Sequence, residues 1–199
     1  MIALPPAPAP APRRQLLIGT SAVGAALTML FGGMLAVWWR FRENSPLRAG
    51  DGEKLIKDWK PKGVKIPMIP VNVLLFTLIL ACLMAQYAVY AAKRADRTNV
   101  TLGLGLTILL GLAGLNAQAY IWGQTKVGIR DGRFETMFYA LTGSFFVLLI
   151  VGLVFTVVTA FRHFGGRTAD HEVVTSHALF WYILTVIYIA VWFVVYVTK

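Results

Sequence analysis

No Asp, Glu, Lys or Arg interrupts five long stretches of this 199-residue sequence, and charged residues make up only 14% of the whole. A soluble domain of this size needs more charge to cover its surface. Proton pumps, voltage sensors and ion-coupled transporters need ionisable groups at membrane depth, so the lack counts against all three. Cys82 is the single cysteine and lies inside an apolar stretch, which excludes a disulfide framework. Histidine is scarce as well. Its three positions put His163 and His171 in a loop and His177 in the first turns of the last helix. They make no metal-ligand set, and His177 reads as an interfacial hydrogen-bonding residue. Gly-rich phosphate loops, nucleophile elbows and zinc-protease motifs are missing too, so nothing supports catalysis by this chain.

What is abundant is hydrophobic length. Of all residues, 57% are hydrophobic, and they gather in the runs Leu16–Trp39, Pro70–Ala92, Val100–Gly123, Met137–Phe161 and Val173–Thr198. Each is long enough to cross a hydrocarbon core of about 30 Å as a helix. The pattern predicts an all-α integral membrane bundle of five transmembrane helices, over about 16–39, 70–92, 100–123, 137–161 and 173–198. Residues 1–14 form a Pro/Ala-rich tail, extended and mobile, with five Pro before Arg13 and Arg14. The first run is too long for a signal-peptide core and reads as a retained helix. Trp38, Trp39, Trp122, Tyr90 and Tyr139 near the run ends fit interfacial belts.

The loop 40–69 holds eight of the 19 Lys and Arg and four acidic residues, and a short helix is expected around Glu53–Trp59. The other connections are short, so sequential helices should pack as neighbours. The net charge of +10 sits in loops and at helix ends, which points to lipid headgroups and anionic protein surfaces, with no nucleic acid partner. Counting Lys and Arg does not orient the bundle. Seven lie on the side of the N-terminus and twelve on the other, but eight of the twelve are mixed with acids along the long loop.

Neutral polar residues inside the runs carry the remaining signal. Gln86, Asn116, Gln118, Thr142 and Ser144 need partners in lipid, either within the bundle or in a headgroup or neighbouring subunit. Gly24, Gly32, Gly33, Gly103, Gly105, Gly111 and Gly114 allow close backbone approach, inside the bundle or against a docked subunit.

Several of these stretches, in order, resemble subunit III of the haem–copper oxidases in a short five-helix bacterial form. Gln86-Tyr-Ala-Val-Tyr-Ala-Ala-Lys-Arg-Ala-Asp96 is similar to the family's second-helix exit. Asn116-Ala-Gln-Ala-Tyr-Ile-Trp122 is similar to its Gln-x-Tyr-Glu-Tyr/Trp segment. Phe138-Tyr139-Ala-Leu-Thr142-Gly143 is similar to its Phe-Tyr-x-x-Thr-Gly. Met29-Leu-Phe31-Gly32-Gly33 through Trp38-Trp39 and Phe180-Trp181 complete the set.

The resemblance implies a non-catalytic component of a respiratory terminal oxidase, stabilising the catalytic subunit and holding structural phospholipid. Haem and copper would reside in partner subunit I, with subunit II beside it, and no cofactor on this chain. It implies a multi-pass protein of a bacterial cell membrane, N-terminus cytoplasmic and the long loop outside. The positions that match are Gln86, Gln118, Tyr120, Tyr139, Thr142 and Trp181, as lipid or subunit packing residues. The family's ionisable positions are replaced: Leu27 and Ile121 stand where it has Glu, its two His give way in Ser144–Leu149, and Tyr182 and Thr185 replace His and Asp. Roles proposed for those groups in proton uptake and headgroup contact therefore do not carry over. A nitric oxide reductase-associated relative and a small freestanding membrane carrier are the alternatives.

Overall fold

The computed structural model describes residues 14–49, 55–61, 63–129, 131–166 and 171–198. The tail expected over residues 1–14 lies outside them apart from Arg14. Five helices are long and apolar enough to cross a membrane: α1 (Gln15–Glu43), α2 (Met68–Lys93), α3 (Arg97–Thr125), α4 (Arg133–Phe164) and α5 (His171–Val191) with its continuation. That continuation, Trp192–Val197, is a π-helical turn. The protein is therefore an all-α membrane bundle; the first four helices extend past their apolar runs at both ends, and α5 begins before its run and ends with Val197. His163 falls in the last turn of α4 and His171 opens α5, so neither is a loop residue. Polar residues can occupy those end turns because helices of 26 to 32 residues outreach the hydrocarbon core.

Between α1 and α2 the chain forms a small antiparallel ribbon, β1 (Leu47–Ala49) and β2 (Leu55–Lys57), with Leu47 opposite Lys57. A strand and turn thus stand where a short helix was expected around Glu53–Trp59; Glu53 and Lys54 lie outside the described residues. The ribbon is tied by ion pairs Arg48–Asp58 and Lys57–Glu43. Just beyond it Trp59 inserts edge-on against Trp38 (5.1 Å between ring centroids) and against Phe134 (5.7 Å). Burying these large rings holds the loop on one end of the bundle, called here the loop end. Trp38 is consequently inside, 2% exposed, and does not belong to the interfacial belt, whereas Trp39 faces out.

The turn between α2 and α3 is three residues long. Ala95 takes the left-handed conformation (φ 56°), and the N–H groups of Ala95 and Asp96 close on the carbonyls of Ala92 and Ala91. This is the hydrogen-bond pattern of a Schellman cap. Asp96 then caps α3 by accepting from the Asn99 N–H at 3.1 Å.

Helix α5 is the centre of the bundle. It packs against α1, α2 and α4, and its Trp181 also reaches Gly111 of α3. Glycines mark the tightest crossings. A Cβ on Gly103 would lie 3.1 Å from the Ala88 backbone, and one on Gly24 would meet Ile183 at 2.2 Å. Gly32, Gly33 and Gly105 have open space and serve no internal crossing. α1 buries only a narrow stripe, Thr20, Gly24, Phe31 and Trp38, with Gly24 against Ile183 of α5 and Trp38 against Trp59 and against Phe134 of α4.

Candidate functional site

The polar side chains of the membrane region pair in three places. The first lies between α4 and α5 in the half of the bundle away from the loop end. Thr156 Oγ1 donates to the Gly152 carbonyl at 2.8 Å and accepts from Trp181 Nε1 at 3.0 Å. His177 Nε2 stands 2.9 Å from the same oxygen. With the hydroxyl hydrogen already used, the remaining lone pair takes the His177 Nε2–H, which fixes the imidazole tautomer. His177 is fully buried inside the bundle and makes the hydrogen bond expected of it. On the α2 side of Trp181, Cys82 Sγ lies 3.3 Å from its carbonyl and 3.0 Å from Thr185 Oγ1. Pairing inside the bundle is what allows Thr156, Trp181, Cys82 and Thr185 at membrane depth, whereas His177 Nδ1 and Ser176 Oγ are buried without a hydrogen-bond partner among the described residues.

The second place is at the loop end. Trp122 Nε1 donates to Thr142 Oγ1 at 2.9 Å, and the Tyr139 hydroxyl donates to the Val127 carbonyl at 2.9 Å. Gln118, fully buried, lies beside the Tyr196 hydroxyl, but neither its amide nor that hydroxyl is in hydrogen-bond geometry. Trp192 Nε1 reaches Asn72 Oδ1 at 2.9 Å, joining the π-helical turn to the start of α2.

The third is on the surface. The Tyr182 hydroxyl donates to Gln86 Oε1 at 2.8 Å. Tyr182, Val186, Ile189 and Phe193 form an exposed stripe on α5. Ile183 on one flank meets α1 and Trp192 on the other meets α2, so the stripe floors an opening between those two helices.

The six nominated residues thus do not form one site. Gln118, Tyr139 and Thr142 share the loop end, Trp181 sits in the central seam and Gln86 faces the α1–α2 opening. Tyr120 is 55% exposed and lines a groove of about 620 Å³ between α2 and α3. Thr156 carries no mark in the sequence, and Cys82 and Thr185 carry none of the partnering that the structure gives them. Their signal is slight, a lone hydroxyl or thiol in an aliphatic run. Ile121, where the resembled family has Glu, is fully buried in apolar packing. Among the described residues no three His, Cys, Asp or Glu side chains stand together as a metal site would require.

Comparison with known proteins agrees with this architecture. A family model for cytochrome c oxidase subunit III matches residues 22–199. A probable cytochrome c oxidase subunit 3 from Rickettsia bellii (strain RML369-C) is 29% identical over 195 residues, covering 93% of this chain and 69% of the relative. Cytochrome c oxidase subunit 3 from Corynebacterium diphtheriae is 27% identical over 186 residues, with 90% and 86% covered. That from Neurospora crassa is 28% identical over 167 residues, with 81% and 61% covered. With the match spanning all five helices but the first turns of α1, the chain belongs to the cytochrome c oxidase subunit III family.

Proposed function

We propose that this chain is the non-catalytic subunit III component of a respiratory haem–copper terminal oxidase in a bacterial cell membrane. The observation that carries the reading is the family match over residues 22–199. Oxygen chemistry, haem and copper belong to subunit I, with subunit II as a further neighbour. This chain contributes by packing. Its polar side chains are largely spent on holding its own helices together, and the wide apolar faces of α1 and α4 are left for lipid contact. Structural phospholipid lies in the opening between α1 and α2, with acyl chains over Val186 and Phe193 and the Gln86–Tyr182 pair beside them. The N-terminal end of α1 faces the cytoplasm and the ribbon-bearing loop faces outward.

Purification of the tagged chain in gentle detergent, followed by a reduced-minus-oxidised spectrum and mass spectrometry, tests this. Haem a absorbance with a core oxidase subunit and retained phospholipid is the expected result. A folded, haem-free and partner-free preparation overturns it and turns attention to a freestanding carrier. A nitric oxide reductase core in the eluate moves the chain to that assembly.

A further inference from the structure

One side of α3 turns polar groups out of the bundle. Asn116, Tyr120 and Gln124 follow at four-residue spacing and line the groove between α2 and α3, together with Ala113, Ala117 and Val73. The 29 residues of α3 span about 43 Å, against about 30 Å of hydrocarbon. With the helix centred on that core, Asn116 stands roughly 8 Å from the midplane, Tyr120 near the hydrocarbon edge and Gln124 among headgroups. Asn116 is exposed, and its amide has no hydrogen-bond partner among the described residues. Gln86 and Asn72, the comparable outward amides of α2, are both bonded to aromatic side chains of α5. An amide left open to hydrocarbon is costly, so the Asn116 side chain marks a surface that something polar covers.

We propose that this groove seats a transmembrane helix of a neighbouring polypeptide of the oxidase, one presenting hydroxyl or amide side chains at one-turn spacing. The inference rests on the oxidase reading above and adds the face through which the chain docks. An acyl chain has no donor or acceptor at the depth of Asn116. A headgroup reaches Gln124 and Tyr120 but not an amide well inside the core. A helix lying along the groove offers a partner at each of the three turns. Ala113 and Ala117 let its backbone come close, which is how helices associate where lipid gives no hydrophobic drive.

The test uses the intact complex. A photoreactive benzoylphenylalanine at Asn116, and separately at Met29 on the outer face of α1 (78% exposed), is irradiated in native membranes before purification. The expected result is a covalent adduct from position 116 with another polypeptide of the complex, and none from position 29. Adducts from position 116 with lipid alone, or with a second copy of this chain, overturn the proposal. The haem spectrum separates the two readings. Haem-loaded complex without the adduct removes only this docking face, whereas loss of haem and partner removes the oxidase reading with it. Asn116→Leu gives an independent measure, because the side chain faces out and the bundle melts unchanged. Retention of the partner through a detergent titration should weaken about threefold, the size of a typical interhelical hydrogen bond in a membrane protein. Undiminished retention overturns the proposal.

Discussion

The carboxylate of Glu172, in the first turn of α5, accepts the backbone N–H of Leu16 at the start of α1 at 2.7 Å, and that of Leu17 at 3.1 Å. α1 has no acidic residue in its own first turn and no side-chain cap. A residue more than 150 positions away therefore supplies both the acceptor and the negative charge that a helix N-terminus favours.

Glu172→Ala should cost about 1 kcal/mol, typical for a lost cap, and should fray α1 selectively. Hydrogen exchange at the Leu16 and Leu17 amides should accelerate while α2 and α3 are unchanged. Uniform exchange across all helices would show that the contact does not act locally.

At Ala95 a side chain occupies a left-handed backbone position that glycine takes without strain. Ala95→Gly should raise stability by about 1 kcal/mol, read as a higher melting temperature in detergent. A lowered melting temperature would contradict the strain argument.

Asp96 gives the same turn a pH dependence. The Asn99 backbone N–H, and then the Asn99 side-chain amide, donate to its carboxylate and hold its pKa below the usual range. A depressed folded pKa means that the stabilisation is present above the unfolded value and is lost as pH falls through the folded one. Exchange at the Asn99 amide should therefore speed up only as the pH drops below the ordinary carboxylate range. In Asp96→Asn the acidic transition should disappear.

Two glycines of α3 two residues apart should behave in opposite ways. Gly103→Ala pushes a methyl against the Ala88 backbone and should destabilise the α2–α3 crossing by about 1–3 kcal/mol. Gly105→Ala meets open space and should be neutral or stabilising by up to about 1 kcal/mol. Paired thermal melts of the two variants decide this.

Thr156→Val keeps the volume and removes the oxygen shared by Trp181 and His177. Stability should fall by about 1–2 kcal/mol, with a change in Trp181 fluorescence reporting the freed indole N–H. Thr159→Val, whose hydroxyl among the described residues bonds only the Phe155 carbonyl of its own helix, should lose much less.

The five membrane helices were legible because hydrocarbon thickness imposes a run length that charge cannot interrupt, from Leu16 through Thr198. Partnering was not. Periodicity says that Gln86 needs a bond but not that Tyr182 of another helix provides it, and nothing around His177 distinguishes an interfacial position from a buried one. The ribbon at Leu47–Lys57 was missed for a related reason: its strands are three residues each, too short for alternation to register, and its position depends on Trp59 finding Trp38 and Phe134. The nominated positions came from a family pattern, and the structure places them in several separate parts of the bundle.

Helix α5 touches every other helix, yet it is the last of the five to leave the ribosome. Until it arrives, α1 has no seam to close against, Glu172 has not reached Leu16, and the Thr156 hydroxyl lacks both Trp181 and His177. α2 and α3 can already close on their Gly103–Ala88 crossing, but α1 must wait in the bilayer without its main partner. Assembly is thus completed by a late closing event, and a chain halted before His171 presents quality-control proteases with an unfinished membrane protein.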